Sequence, residues 1–167
     1  MTSVTAPARI TTTSLESPVG TLTLTATGGR LSGLHMHEQR HAPRLPEGAE
    51  RDDDGFEEVV AQLHAYFGGT LTHFDVPLEL GGTDFQRRVW AGLREIPYGE
   101  TISYGELARR LGSPGASRAV GLANGRNPVG IIVPCHRVIG ADGSLTGYGG
   151  GIERKVWLLE HEGALLG

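Results

Sequence analysis

The sequence predicts two domains, an α/β domain in the first half of the chain and a mainly α domain in the second. Threonine-rich alternating segments followed by one helical pattern occupy the first half. Helix caps and helical spacing of apolar residues dominate the second half. Gly81-Gly82 falls between the two patterns, so we place the boundary between residues 1–81 and residues 82–167.

The N-terminal domain is predicted to begin with three strands and continue into one helix. The predicted strands are Arg9–Leu15, Thr21–Ala26 and Arg30–Met36. The first two are joined by a Ser-Pro-Val-Gly turn, and the third follows Gly28-Gly29. Residues 37–54 are polar and contain prolines, which predicts a loop. Apolar residues at helical spacing predict a helix over Phe56–Phe67, and Thr70–Gly82 is interpreted as a linker.

The second domain is predicted to contain a helix-turn-helix. Thr83 or Asp84 can cap a first helix that ends before Pro97-Tyr98-Gly99. Ser103 and Glu106 have the spacing of a capping box for a short helix that runs through Leu111. Gly112 then breaks the chain, and Ser113-Pro114 can start another helix that reaches about Asn124. Two short helices around a glycine-containing turn are typical of helix-turn-helix proteins, although the pattern also occurs by chance.

The charge is unevenly distributed along the chain. The formal net charge is −4, but residues 82–167 contain ten basic and eight acidic residues, against five and eleven in residues 1–81. Between Thr101 and Arg137 the only acidic residue is Glu106, and the arginines there are Arg109, Arg110, Arg118, Arg126 and Arg137. This segment can bind phosphates, although a mixed solvated surface is at least as good an interpretation.

The single cysteine, Cys135, excludes an internal disulfide framework and a cysteine-based zinc site. The start of the chain has no secretory signal pattern, and no apolar run has the length of a membrane span, so we expect a cytoplasmic protein. A lone cysteine is usually a small buried apolar residue. Here His136 and Arg137 follow it directly, and a neighbouring base or cation favours the nucleophilic thiolate.

The local pattern around Cys135 limits how it can cooperate with His136. The preceding apolar residues predict a strand that ends at Cys135, and consecutive side chains of a strand point to opposite faces. The two residues therefore need either a turn or a bridging water. Glu162, which directly follows a predicted helix over Ile152–His161 and precedes Gly163, is a candidate to orient the imidazole.

At this point several motifs resemble one family, the O6-alkylguanine-DNA alkyltransferases. The match is carried by the following segments, in this order: Tyr98-Gly-Glu-Thr-Ile-Ser-Tyr104-Gly, Ser117-Arg118-Ala-Val-Gly121, Asn124-Gly-Arg-Asn127-Pro128, Pro134-Cys135-His136-Arg137-Val138-Ile139, Gly147-Tyr148-Gly-Gly150 and Leu158-Leu159-Glu160-His161-Glu162-Gly163. It covers about residues 80–163, whereas the N-terminal half has no diagnostic motif.

The resemblance implies a ribonuclease-H-like N-terminal domain and a winged-helix-like helix-turn-helix in the second domain. It implies irreversible, single-turnover transfer of the alkyl group of O6-alkylguanine in double-stranded DNA to Cys135, after nucleotide flipping. O4-alkylthymine is left open as a second substrate. In this scheme His136 takes the thiol proton through a water, Glu162 orients His136, and Tyr104 donates to the departing guanine.

By the same resemblance, a further set of residues is assigned to DNA binding and to the pocket. Arg118 fills the place of the flipped base in the minor groove, and Ser117, Ala119, Gly121 and Arg126 belong to the same DNA-binding surface. The segments around Val138, Tyr148 and Gly149 read the flipped base, although many relatives carry a side chain where this sequence has Gly149. Asn127 holds the hinge between the recognition helix and the active-site segment.

The expected partner is double-stranded DNA with an O6-alkylguanine lesion, bound by a monomer, with cooperative binding left open. No cofactor and no metal are expected, because the zinc ligands of some relatives need cysteines that this chain lacks. The first alternative is a papain-type hydrolase, which the adjacent Cys-His pair and the helix-turn-helix disfavour. The second is a damage sensor without transfer activity, which the presence of Cys135 disfavours.

Overall fold

A computed structural model describes residues 8–39, 45–145 and 148–164 of the chain. The strands are β1 (Ile10–Ser17), β2 (Gly20–Thr27), β3 (Arg30–Met36), β4 (Glu50–Arg51), β5 (Ile102–Ser103) and β6 (Val138–Ile139). The helices are α1 (Glu57–Phe67), α2 (Asp84–Arg94), α3 (Tyr104–Arg110), α4 (Ser117–Gly125) and α5 (Ile152–His161). In the described ranges, no helix is long and apolar enough to cross a membrane.

The N-terminal domain is a four-stranded sheet with α1 as its main helix. The strand order is β3-β2-β1-β4, with antiparallel pairing except between β1 and β4. Gly28 and Gly29 adopt φ values of 59° and 82°, the left-handed conformation that a tight hairpin turn between β2 and β3 requires. The three predicted strands are present. β4 lies within residues 37–54, which were predicted to form a loop. The sequence did not predict this strand, because two residues are too few to show alternation.

The predicted linker over Thr70–Gly82 packs against the sheet. The Leu31 amide donates to the Pro77 carbonyl at 3.0 Å, and the Glu79 amide donates to the Leu31 carbonyl at 2.9 Å. Phe74 and Val76 in the same segment are buried. Pro77 and the glycine pair Gly81-Gly82 are typical of a linker, so the sequence did not predict this pairing, which extends the sheet at the edge of β3.

The second domain packs α2, α3 and α4 together. Thr83 caps α2 in a complete capping box with Gln86, and Trp90 of α2 donates to the Ala123 carbonyl of α4 at 2.9 Å. Ser103 caps α3 through the Glu106 amide. The predicted start of α4 at Pro114 is wrong: Gly115 has a φ of 90°, which breaks helical geometry, so the helix begins at Ser117.

The two domains share one hydrophobic core and are joined through backbone hydrogen bonds. Leu34 of β3 donates to the Pro128 carbonyl at 2.9 Å and accepts from the Gly130 amide at 3.2 Å. The segment that leads from α4 to Cys135 is therefore attached to the edge of the N-terminal sheet. Fully buried side chains from both domains form the core, among them Leu22, Leu24, Leu34, Leu63, Tyr66, Leu93, Leu107, Val120 and Leu158.

The α2 capping box yields a test of stability. We expect Thr83→Ala to lower the free energy of unfolding by about 1 kcal/mol, because the Gln86 amide loses its acceptor. Thr83→Ser retains the hydroxyl and should unfold close to the native protein. Urea denaturation of the three proteins measures this, and equal losses in both variants would contradict the capping role.

Candidate active site

Cys135 lies in a tight turn, and the predicted strand before it is wrong. Residues Cys135–Arg137 form a single 3₁₀ turn, and Ile131 upstream adopts a φ of 71°. The cause is Asn127, whose Nδ2 donates to the Val133 carbonyl at 2.7 Å and whose Oδ1 accepts from the Val129 amide at 3.0 Å. The apolar segment therefore folds around one buried amide instead of extending, and Asn127 links α4 to the turn.

A buried carboxylate organises this turn. Glu162 Oε2 is 2.8 Å from His136 Nε2 and accepts from the Tyr66 hydroxyl at 2.6 Å. Arg137 donates from Nε to Oε1 at 2.8 Å and from Nη2 to Oε2 at 3.1 Å, and its Nη1 donates to the Ile96 carbonyl at 2.7 Å. Because His136 and Arg137 belong to one turn and Tyr66 to α1, the carboxylate joins both domains.

The charges of this cluster follow from burial and pairing. Burial alone would raise the pKa of Glu162, but the hydrogen bonds from His136 and Arg137 lower it to about 2. Burial lowers the pKa of His136, although its contact with Glu162 acts in the opposite direction. At neutral pH the cluster therefore contains an ionised Glu162, a charged Arg137 and a neutral His136 with its proton on Nε2.

The second nitrogen of His136 is available to a proton donor. Nδ1 is buried and has no hydrogen-bond partner among the residues that the structure describes. With the proton of the neutral ring on Nε2, Nδ1 carries a free lone pair. A buried polar atom of this kind needs a partner, and a bound water can supply one.

Cys135 is buried, with 8% of its surface exposed. Burial raises the pKa of its thiol, while the Asn127 amide and the Lys155 ammonium act in the opposite direction. Lys155 is fully buried on α5, its Nζ donates to the Val138 carbonyl at 2.7 Å, and burial lowers its pKa to about 8. The resting residue is thus a protonated thiol next to a cation, a setting in which a base can produce the thiolate.

A narrow cleft opens onto Cys135. Its volume is about 10 Å³, room for the centre of about one water molecule. It is lined by Gln39, Asn124, Gly125, Asn127, Gly130, Cys135, Tyr148, Gly149 and Gly150. Of the predicted pocket residues, Tyr148 and Gly149 line this cleft, whereas the carbonyl of Val138 is occupied by Lys155. Gly147 lies outside the described residues.

The predicted DNA-binding residues lie on and after α4. Ser117, Arg118, Ala119 and Arg126 are exposed. Gly121 is half-buried and faces the Tyr104 ring, which a Cβ at this position would approach to 3.8 Å. Burial raises the pKa of the Tyr104 hydroxyl, as does the charge of a Cys135 thiolate, so this hydroxyl remains a proton donor near the thiol.

Several residues of the site were not recognised in the sequence. Arg137 was grouped with phosphate-binding arginines, but its guanidinium is buried against Glu162. Arg109 and Arg110 of the same group form ion pairs with Glu106. The sequence analysis assigns no role to Tyr66 or Lys155, and the one signal for Lys155 is that it is the single lysine of a sequence with fourteen arginines. No local signal identifies Tyr66, which is 96 positions from its partner.

Comparison with known proteins adds an independent line of evidence. Two family models of 6-O-methylguanine DNA methyltransferase match the chain, the ribonuclease-like domain at residues 10–80 and the DNA binding domain at residues 84–164. The methylated-DNA–protein-cysteine methyltransferase of Mycobacterium bovis is 60% identical over 148 residues, which are 89% of each chain. That of Methanosarcina acetivorans is 50% identical over 149 residues, 89% of this chain and 96% of the relative.

The solved structure of Mycobacterium tuberculosis OGT in complex with DNA is 57% identical. It superposes with a TM-score of 0.85 over 93% of both chains. This agreement extends to the architecture, a sheet domain followed by a helical DNA-binding domain. With both domains matched at these identities, the chain belongs to the O6-alkylguanine-DNA alkyltransferase family, the methylated-DNA–protein-cysteine methyltransferases.

Proposed function

We propose that this protein repairs double-stranded DNA by moving the alkyl group of O6-alkylguanine onto Cys135, once per molecule. The observation that carries the proposal is the thiol beside a neutral histidine whose Nδ1 is free and whose Nε2 is held by Glu162. Family membership supports the substrate, and a relative has been solved with DNA bound. O4-alkylthymine offers the same alkyl–oxygen bond and is a second substrate within the proposal.

In the proposed reaction the Cys135 sulfur attacks the alkyl carbon. A carbon–sulfur bond forms as the carbon–O6 bond breaks, and its electron pair leaves with guanine. The thiol proton passes through a water to Nδ1 of His136, while Tyr104 donates a hydrogen bond to N3 of the guanine. The proton that His136 received is then passed on to the dealkylated guanine, so that the base remains in the DNA as neutral guanine and His136 returns to its neutral form. A thioether has no simple route back to a thiol, so each molecule acts once.

The DNA surface is proposed to be α3 and α4, acting as a helix-turn-helix of the winged-helix type. In this proposal, residues 82–167 form the DNA-binding and transfer domain, and residues 1–81 a ribonuclease-H-like domain. The small residues of α4 allow a close approach to the minor groove, and Arg118 projects from that helix. Because the cleft at Cys135 has room for about one water, we infer that the segment around Tyr148 and Gly149 moves to admit a flipped base.

The first prediction concerns stoichiometry. Mixing the protein with an oligonucleotide that contains O6-methylguanine should add one methyl group per molecule, and peptide mapping should place it on Cys135. Cys135→Ala should bind the same DNA without any mass change. Methylation of another residue, or several turnovers per molecule, would refute the proposal.

The second prediction concerns the proton relay. We expect His136→Ala and Glu162→Gln to raise the apparent pKa of the Cys135 thiol, because the base that takes its proton is lost or no longer held. Alkyl transfer should slow by about 10²–10⁴-fold, the usual range for general-base catalysis. Iodoacetamide alkylation as a function of pH measures the thiolate. Glu160→Gln, exposed on the same helix, is the control. Unchanged profiles in both relay variants would exclude the relay.

The third prediction separates flipping from phosphate binding by Arg118. Flipping costs a few kcal/mol of stacking and pairing, so Arg118→Ala should slow repair of duplex DNA severely. Free O6-benzylguanine needs no flipping, and its reaction should be almost unchanged. Single-turnover kinetics at saturating protein is the measurement. Recovery of the native rate on duplex DNA under these conditions would show that Arg118 only contacts phosphate. Equal loss with the free base would assign it a role in the fold or pocket.

A further inference from the structure

Tyr66 brings the N-terminal domain into direct contact with the active-site carboxylate. It lies in the last turn of α1, is fully buried, and donates its hydroxyl to Oε2 of Glu162 at 2.6 Å. The same oxygen is 2.8 Å from His136 Nε2. Oε2 of Glu162 therefore accepts a hydrogen bond from Nε2 of His136 and another from the Tyr66 hydroxyl of the N-terminal domain.

The direction of the Tyr66 hydroxyl is fixed by its surroundings. Its ring packs against Phe67, Phe74, Tyr98 and His161, with centroids between 5.2 and 6.2 Å apart. The Tyr66 carbonyl is 2.7 Å from His161 Nε2, the residue that precedes Glu162 in the chain. Because the ring and the backbone are both held, the hydroxyl cannot turn away from the carboxylate without disturbing the core.

Tyr66 donates to the carboxylate without adding a charge. Burial raises the pKa of its hydroxyl far above the usual value, and the negative charge of Glu162 raises it further, so the group remains protonated. Arg137 Nε donates to Oε1, whereas Oε2 is shared by Arg137, His136 and Tyr66. Loss of Tyr66 would leave Arg137 to balance the charge but would remove a fixed donor from the oxygen that faces His136.

We propose that Tyr66 is a positioning residue for alkyl transfer: it holds Oε2 of Glu162 against Nε2 of His136, so that the imidazole keeps its proton there and leaves Nδ1 free for the thiol proton. The N-terminal domain thereby takes part in the relay. This inference rests on the proposed relay and adds a residue to it.

Several titratable groups surround the relay. The charge of Glu162 acts on His136 and Arg137 from the active-site turn, on Tyr66 from α1, on Tyr98 from the segment after α2 and on Tyr148 from the cleft. The groups that face the thiol are Lys155 from α5, Tyr104 from α3 and Tyr148 from the cleft. Tyr66→Phe changes none of these other groups, and it keeps the aromatic ring.

Tyr66→Phe is compared with Tyr98→Phe, Glu162→Gln and the double variant of Tyr66 and Glu162. Tyr98 lies in the same aromatic cluster, but its hydroxyl donates to the His161 carbonyl at 3.4 Å. The measurements are the rate of reaction with free O6-benzylguanine, the pH profile of iodoacetamide alkylation and the melting temperature. Because free O6-benzylguanine reacts without DNA, its rate does not depend on how the variants bind DNA.

We expect Tyr66→Phe to slow the free-base reaction about tenfold, the lower end of the effect of losing a group that orients a functional histidine. The apparent pKa of the thiol should rise, in the same direction as in Glu162→Gln but by less, because Oε2 is no longer fixed and the imidazole proton can move to Nδ1. Tyr98→Phe should retain the native profile. In the Glu162→Gln background, Tyr66→Phe should add little.

The alternatives give different patterns. If Tyr66→Phe lowers only the melting temperature and leaves rate and profile at native values, its role is structural and the inference is wrong. If it adds its full effect to Glu162→Gln, it acts by another route, which also overturns the inference. If Glu162→Gln itself leaves the profile unchanged, the relay fails as a whole, and the positioning role fails with it.

Discussion

The ionised carboxylate of Glu162 is the constraint on which the active centre depends. A buried charge is costly unless it is paired and fully hydrogen-bonded. Here the pairing requires Arg137 and His136 from a tight turn and Tyr66 from α1, and all three lie within 3.1 Å of its oxygens. The end of α5, the turn that carries Cys135 and the end of the N-terminal helix must therefore meet at one point.

Under the proposed function, this arrangement keeps the Cys135 thiol protonated until the substrate is bound. Burial raises the pKa of Cys135, and a protonated thiol is a poor nucleophile. The neutral imidazole next to it holds its proton toward Glu162 and presents an unpaired Nδ1. In the proposed reaction the thiolate forms only when the substrate lies beside Cys135, with help from the relay and from Lys155. Until then the protonated thiol reacts slowly with other electrophiles, which matters for a residue that is used once.

The local features of the fold were predictable from the sequence, and the tertiary ones were not. Strong periodicity and caps such as Thr83 predicted the helices, and the Gly28-Gly29 turn predicted the hairpin. The turn at Cys135 was mistaken for the end of a strand, because an apolar run has the same composition whether it extends or folds around a buried amide such as Asn127. Pairings of two residues, as in β4, leave no pattern to recognise.

The sequence motifs identified Cys135, His136 and Glu162 as candidate site residues. Other groups that contact the site come from distant positions in the chain. On one side Tyr66 contacts the carboxylate; on the other, Met36 of β3 accepts from the Tyr148 hydroxyl at 4.0 Å, and Gln39 lines the cleft. Between them, Leu34 pairs with the backbone that leads to Cys135. The C-terminal domain carries the motif, yet without the sheet domain Glu162 would lose a donor and Tyr148 its packing. The N-terminal domain therefore contributes side chains to both sides of the candidate site. Under the proposed function, substitutions at these contacts should alter the rate of alkyl transfer as well as stability.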